Sequence, residues 1–173
     1  IWGSDGSVVF VDLNSQQSID KLKDNLNKAT YIVAHNAKFD VAWLREIGID
    51  CDIKIIDTMI SEYVLCKGIR GQLSLNALSQ KYETTAKESL LSDILNKGLN
   101  FSDMSLENQQ TYLRHDVLAT AEVFQAQQKL YNRQENKSLI PIRDLMCQFC
   151  SVLTDIERSG MAIDLDVLSQ VDK

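Results

Sequence analysis

Two short apolar runs, each feeding into a segment of helical period, constrain this chain more than any other feature. Thr30-Tyr31-Ile32-Val33-Ala34 is rich in β-favouring residues and closed by polar His35 and Asn36, which reads as a buried strand. From Phe39 to Ile47 the period changes: Val41, Leu44 and Ile47 alternate with Asp40, Arg45 and Glu46, and Gly48 follows as a C-terminal stop. The pattern then repeats. Ile53-Lys54-Ile55-Ile56 reads as a second strand, and Asp57-Thr58 offers an N-cap to a helix over Met59–Cys66. Strand, helix, strand, helix in succession predicts an α/β sheet with helical cover.

The flanking segments fit that frame. Ser7–Leu13 follows an Asp5-Gly6 turn signal and reads as the later half of a hairpin. Ser18–Leu26 has Ile19, Leu22 and Leu26 on one helical face, and Ser74–Lys81 reads as a helix with Leu75 and Leu78 inward. Residues 83–104 are polar and less regular. A long helix is expected from Ser105 to about Gln134, with Leu113, Val117 and Phe124 on its packed side. The polar stretch 134–137 and Pro141 mark the one compositional boundary. It divides a unit over 1–134 from a second over 141–173, where a helix spans Ile142–Ser159, Gly160 stops it, and Asp164 caps a last helix. Trp43, at helical spacing, is expected in the core.

At 173 residues the chain amounts to one domain, or one domain and part of another. No run approaches the roughly 18 apolar residues of a membrane span, and no secretory signal pattern is present. The chain opens at Ile1 rather than Met and is expected to be a piece of a longer protein. Net charge is −6, from 18 Lys and Arg against 24 Asp and Glu, so the strongly basic stripe that grips duplex DNA is absent. Cys147-Gln-Phe-Cys150 has metal-like spacing, but Cys51 and Cys66 provide no matching pair. Buried, reduced thiols and a cytoplasmic setting are the expectation.

Two acidic motifs stand out. In His35-Asn36-Ala37-Lys38-Phe39-Asp40, Asp40 falls in the first turn of a helix just off a strand end, the edge where α/β sheets bind ligands. In Tyr112-Leu113-Arg114-His115-Asp116, Tyr112 and Asp116 lie four apart on one helical face. Taken singly, each residue has an ordinary reading: Asp40 as a helix N-terminal acid, Asp116 as a solvated carboxylate, Tyr112 as a core aromatic, His35 as a strand-end residue and Asp57 as a cap. His115 points about 100° away from Asp116. Arg70 and Gln72 lie in a loop within which phosphate contacts are conceivable.

Taken together, the motifs resemble the proofreading 3′→5′ exonuclease domain of family A DNA polymerases, the tyrosine branch of the DEDD nucleases. Asn36-x-x-Phe39-Asp40 is similar to that family's second motif and Tyr112-x-x-x-Asp116 to its third, with the two Asp residues 76 apart. Asp57-Thr58-Met59-Ile60 and Leu73–Leu78 are similar to the connecting segments. Ile156–Asp164 resembles the start of the polymerase region.

The resemblance implies a ribonuclease-H-like mixed sheet with surrounding helices, lacking its first strand. It implies two divalent ions, Mg²⁺ or Mn²⁺, that clamp the scissile phosphate of a single-stranded DNA 3′ end. Asp40 and Asp116 would ligate metal, Tyr112 would orient the attacking water, and Asn36 would contact the terminal nucleotide. Phe39, also at the substrate site, would pack beneath the motif. The family's first motif, an Asp-x-Glu on the first strand ahead of Asn36, is missing from residues 1–35, so the piece is expected to be weak or inactive. Two other readings stay open: a stand-alone 3′→5′ exoribonuclease of ribonuclease D type, and a silent scaffold that binds nucleic acid.

Overall fold

The structure is a computed structural model, and it describes residues 1, 3, 6–49, 53–69, 71–84 and 101–171. The elements are α1 (Gln16–Lys28), β1 (Tyr31–Ala34), α2 (Ala37–Glu46), β2 (Lys54–Asp57), α3 (Thr58–Leu65), α4 (Leu75–Lys81), α5 (Leu106–Tyr131), α6 (Ile140–Ser159) and α7 (Leu165–Val171), with short 3₁₀ turns at Phe101–Asp103 and Gln134–Leu139. The expected positions Cys51 and Arg70, and most of the irregular stretch 83–104, lie outside the described residues.

β1 and β2 pair in parallel with Tyr31 opposite Lys54 and Ala34 opposite Asp57. The crossover between them contains α2, as a parallel pair requires. Among the described residues this small unit is a two-stranded parallel sheet flanked by helices. The expected strand over Ser7–Leu13 does not form. Gly3 N–H donates to Ser7 O at 2.8 Å and Val9 N–H to Ile1 O at 2.8 Å, so the start of the run is held against residues 1 and 3; Asp5 of the turn signal lies outside the described residues. Beyond Val9 the run finds no ladder partner among the described residues, and β propensity alone does not hold a strand.

Helix starts follow their capping chemistry. Ser15, Asp57, Ser74 and Ser105 each accept a hydrogen bond from their own helix's first turn, satisfying donors that the helix geometry leaves over. Leu75 and Leu78 pack with Ala119 and Val123 as one buried cluster, with Tyr82 against it. That cluster shows which face of α5 is inward. Leu113, expected on the packed side, is 42% exposed. The buried row runs through Tyr112, Ala119, Val123, Gln127 and Tyr131 instead.

Pro141 opens a helix rather than breaking the chain. It sits in the first turn of α6, where a missing N–H costs nothing. Gly160 ends α6 at φ 66° and ψ −168°, a conformation that glycine alone adopts readily. Asp164 Oδ1 accepts Val167 N–H at 3.1 Å, capping α7 as expected. α6 packs on α2, α3 and β2. Cys147 and Cys150 face that packing as buried free thiols. The opposite face of α6 is exposed and apolar: Ile142, Leu145, Phe149, Val152 and Ile156 recur at heptad spacing.

Among the described residues no helix is long and apolar enough to cross a membrane.

Candidate functional site

The site is organised by the end of β2. Ala34 and Asp57 are register partners, so both strands finish at one level. The Asp57 carboxylate, 1% exposed, is thereby placed under the start of the helix that follows β1. It accepts Asn36 N–H at 3.1 Å and Ala37 N–H at 2.8 Å. It also caps its own helix through Met59 N–H at 2.8 Å. One carboxylate therefore serves two helix N-termini, α2 and α3. His35 joins this end: its Nδ1 lies 2.9 Å from Thr58 Oγ1, and Thr58 Oγ1 in turn donates to Ala34 O at 3.2 Å.

Held this way, Asn36 adopts a left-handed conformation, φ 60° and ψ 51°, and its side chain makes no capping bond. Asn is one of the few residues that tolerates this region. The turn presents Asn36 to solvent and starts α2 so that Asp40 occupies its first turn. Protein atoms crowd one side of the Asp40 carboxyl although its surface stays open to water. That crowding, with the nearby negative charge of Asp57, pushes its pKa up to about 6.

Phe39 is 64% exposed and Trp43 is 56% exposed. Both expectations of packing are thus corrected. The reason lies in how α2 docks. Its 38/42/45 face is taken by α6: Lys38 pairs with Glu157 at 2.6 Å, Arg158 donates to Ala42 O at 3.1 Å, and Arg45 pairs with Asp155 and donates to Ser151 Oγ at 2.9 Å. Residues 39 and 43 are turned away from that face. Their rings meet edge to face, with centroids 6.4 Å apart.

Tyr112 and Asp116 sit one turn apart on α5, as expected. Tyr112 is 7% exposed and its ring stands edge-on to Phe101 at 5.7 Å, so its surroundings are those of a packed aromatic. Asp116 is half-buried. The structure gathers Asn36, Phe39 and Asp40 around one helix start, and Tyr112 and Asp116 on one helix face. Among the described residues no group of three His, Cys, Asp or Glu side chains stands close enough to hold a metal ion. Asp40 and Asp116 have the hard oxygen donors that Mg²⁺ prefers, but the described residues do not complete a metal site.

A separate groove of about 480 Å³ is lined by Glu62, Cys66, Gln72 and Lys81, among others. None of the five candidate residues lines it. Glu62 at its base is buried. It accepts from Lys81, from Tyr82 Oη at 2.5 Å and from Gln127 Nε2 at 3.0 Å.

Residues 3–132 match the family model described as a 3′-5′ exonuclease of A-type DNA polymerases. The chain belongs to this 3′-5′ exonuclease domain family. It is similar to DNA polymerase I of Borreliella burgdorferi, 26% identical over 150 residues, which is 87% of this chain and 16% of that protein. It is also similar to DNA polymerase I of Chloroflexus aurantiacus, 28% identical over 142 residues, which is 81% of this chain and 15% of that protein. This exonuclease-family chain thus spans about a sixth of the length of these relatives. No solved structure matches it.

Two features of the exonuclease-family site escaped sequence reasoning. Asp57 was legible as a cap of α3, but its second role at α2 depends on parallel register. The Phe39–Trp43 pair was visible as an i, i+4 spacing, yet its exposure depends on which face α6 covers.

Proposed function

We propose that this chain is the 3′→5′ proofreading module of a longer family A DNA polymerase and removes nucleotides from a single-stranded DNA 3′ end. The observation that carries this reading is the position of Asp40. It is a solvent-open carboxylate in the first turn off β1, preceded by an exposed left-handed Asn36. In this reading Asn36 and Phe39 contact the terminal nucleotide. Asp40 and Asp116 supply carboxylate ligands to divalent cations, Mg²⁺ or Mn²⁺, whose remaining ligands lie outside the described residues. Such ions, when bound, supply the charge that activates water and stabilises the leaving oxygen.

Tyr112 enters as the residue that orients water by its hydroxyl. Its packing on Phe101 makes Tyr112→Phe the informative change, because the ring stays and only the hydroxyl goes. Residues 141–173 are read as the start of the polymerase region. The exposed heptad stripe of α6 supports this, since such a face is suited to cover by further protein.

The test is degradation of 5′-labelled single-stranded DNA in Mg²⁺ and in Mn²⁺. It is run on the protein that carries this chain and on this chain alone. The full protein is expected to ladder its substrate from the 3′ end and to lose that activity in Asp40→Ala and Asp116→Ala. This chain alone is expected to be weak or silent. A full protein that degrades RNA and spares DNA would favour the ribonuclease reading. One that binds DNA without cutting it would favour the scaffold.

A further inference from the structure

We infer that α6 is a positioning strut for the nuclease site: Ser151, Asp155 and Arg158, on one of its faces, hold α2 and with it Asp40 in the orientation the reaction needs; this rests on the exonuclease reading. The family match ends at residue 132, and α6 lies wholly beyond it. The helix that carries Asp40 is therefore held from outside the matched region. α2 needs such a hold. Of its ten residues only Ala37 is buried, so the apolar packing that fixes most helices in proteins is thin here.

Polar contacts take its place, and they reach both ends of the helix. Lys38, in the first turn, pairs with Glu157 at 2.6 Å. Arg45, in the last turn, pairs with Asp155, and its Nη2 donates to Ser151 Oγ at 2.9 Å. Arg158 pairs with Glu46 at 3.1 Å and donates to Ala42 O at 3.1 Å. Three of the four charged side chains of α2 thus pair with α6, and the fourth is Asp40. Ties at both ends of a helix fix its roll as well as its place. Residues 151, 155 and 158 recur at i, i+4 and i+7, so one face of α6 supplies them. The same helix reaches the other support of the site: Cys147 Sγ accepts Asp57 N–H at 3.4 Å, and Asp57 holds the first N–H groups of α2. Half-exposed ion pairs add little to stability, whereas a misplacement of about 1 Å can cost roughly 100-fold in rate. Breaking the strut should cost activity far more than it costs the melt.

The test uses the protein that carries this chain and follows 3′-end removal from 5′-labelled single-stranded DNA in Mg²⁺. Asp155→Arg sets two cations against each other at Arg45. It is expected to lower kcat by about 10- to 100-fold with its circular dichroism melt unchanged. Amide hydrogen exchange should quicken in α2 and stay the same in β1 and β2. Arg45→Glu alone should behave alike, and the swapped double variant Arg45→Glu/Asp155→Arg, which restores opposite charges, should recover most of the rate. If Asp155→Arg melts early, Asp155→Asn decides: a lower kcat at an unchanged melt supports the strut, and an undiminished kcat overturns it. If the wild type cleaves and the single variants cleave as fast, or the swap restores nothing, the strut is overturned and the exonuclease reading stands. If the wild type does not cleave the strand at all, both readings fall together.

Discussion

The carboxylate of Asp57 accepts the backbone N–H of Ala37 at 2.8 Å across the parallel pair, while capping its own helix at Met59 N–H. Two helix starts, one of them carrying the candidate site, therefore hang on one buried side chain. Asp57→Ala strands several donors in a buried setting. With roughly 0.5–2 kcal/mol for a lost cap and 1–3 kcal/mol for unsatisfied buried groups, a loss of about 2–4 kcal/mol is expected in urea unfolding. Asp57→Asn, which keeps one acceptor oxygen, should cost less. A change of only a few tenths in Asp57→Ala would contradict this role.

Asp40 answers differently. Its folded pKa, pushed up to about 6 by crowding and by Asp57, exceeds its unfolded value of 3.8. The ionised form is thus disfavoured in the folded state. The penalty is absent below about pH 4, grows as pH rises through 6 and is complete above it. The carboxyl is exposed, so solvent screening reduces the penalty to on the order of 1 kcal/mol. Asp40→Asn should therefore stabilise the metal-free protein at pH 8 and leave it unchanged at pH 4. Equal stability of the two at both pH values would contradict the strained carboxylate.

Glu62 has the opposite sign. Burial alone would push its carboxyl up, but hydrogen bonds from Lys81, Tyr82 and Gln127 outweigh burial and hold it below the usual carboxylate range. Its contribution is present above about pH 4.5 and is lost as pH falls through the lowered folded value. Glu62→Gln should be destabilising at pH 7, and the gap between variant and wild type should narrow in acid. A gap that widens on acidification would refute the network.

Cys147 and Cys150 are buried, and burial raises both thiols, Cys150 to about 11. Both are expected to resist Ellman's reagent in the native protein and to react once it is unfolded. Fast native labelling of either, located by mass spectrometry, would contradict the packing of α6.

The legible parts of this fold were those set by local chemistry. The caps at Asp57, Ser74, Ser105 and Asp164, and the stop at Gly160, needed only short-range donors and acceptors. The parallel pair was legible because both apolar runs are bounded by polar residues and joined by a helical period. What the sequence hid was decided by tertiary partners. Trp43 has core-like spacing, yet α6 docks on residues 38, 42 and 45 and leaves it outside. The Tyr112 ring stands edge-on to Phe101, a contact between α5 and the turn before it that spacing alone does not give. Ser7–Leu13 has the composition of a strand, but beyond Val9, which bonds Ile1, it has no ladder partner among the described residues. In the site, Asn36, Phe39 and Asp40 were found as one group, whereas the service Asp57 gives them required the register of the strands.

In the proposed function, Asp40 and Asp116 act in one 3′→5′ nuclease site. The direct measurement is the Mg²⁺-dependent rate of 3′-end removal from 5′-labelled single-stranded DNA by the protein that carries this chain, beside Asp40→Ala, Asp116→Ala and the double variant. Each single change is expected to reduce the rate by at least about 100-fold and the double change to add little, because residues acting as one unit are not additive. Undiminished laddering in either single variant would contradict it.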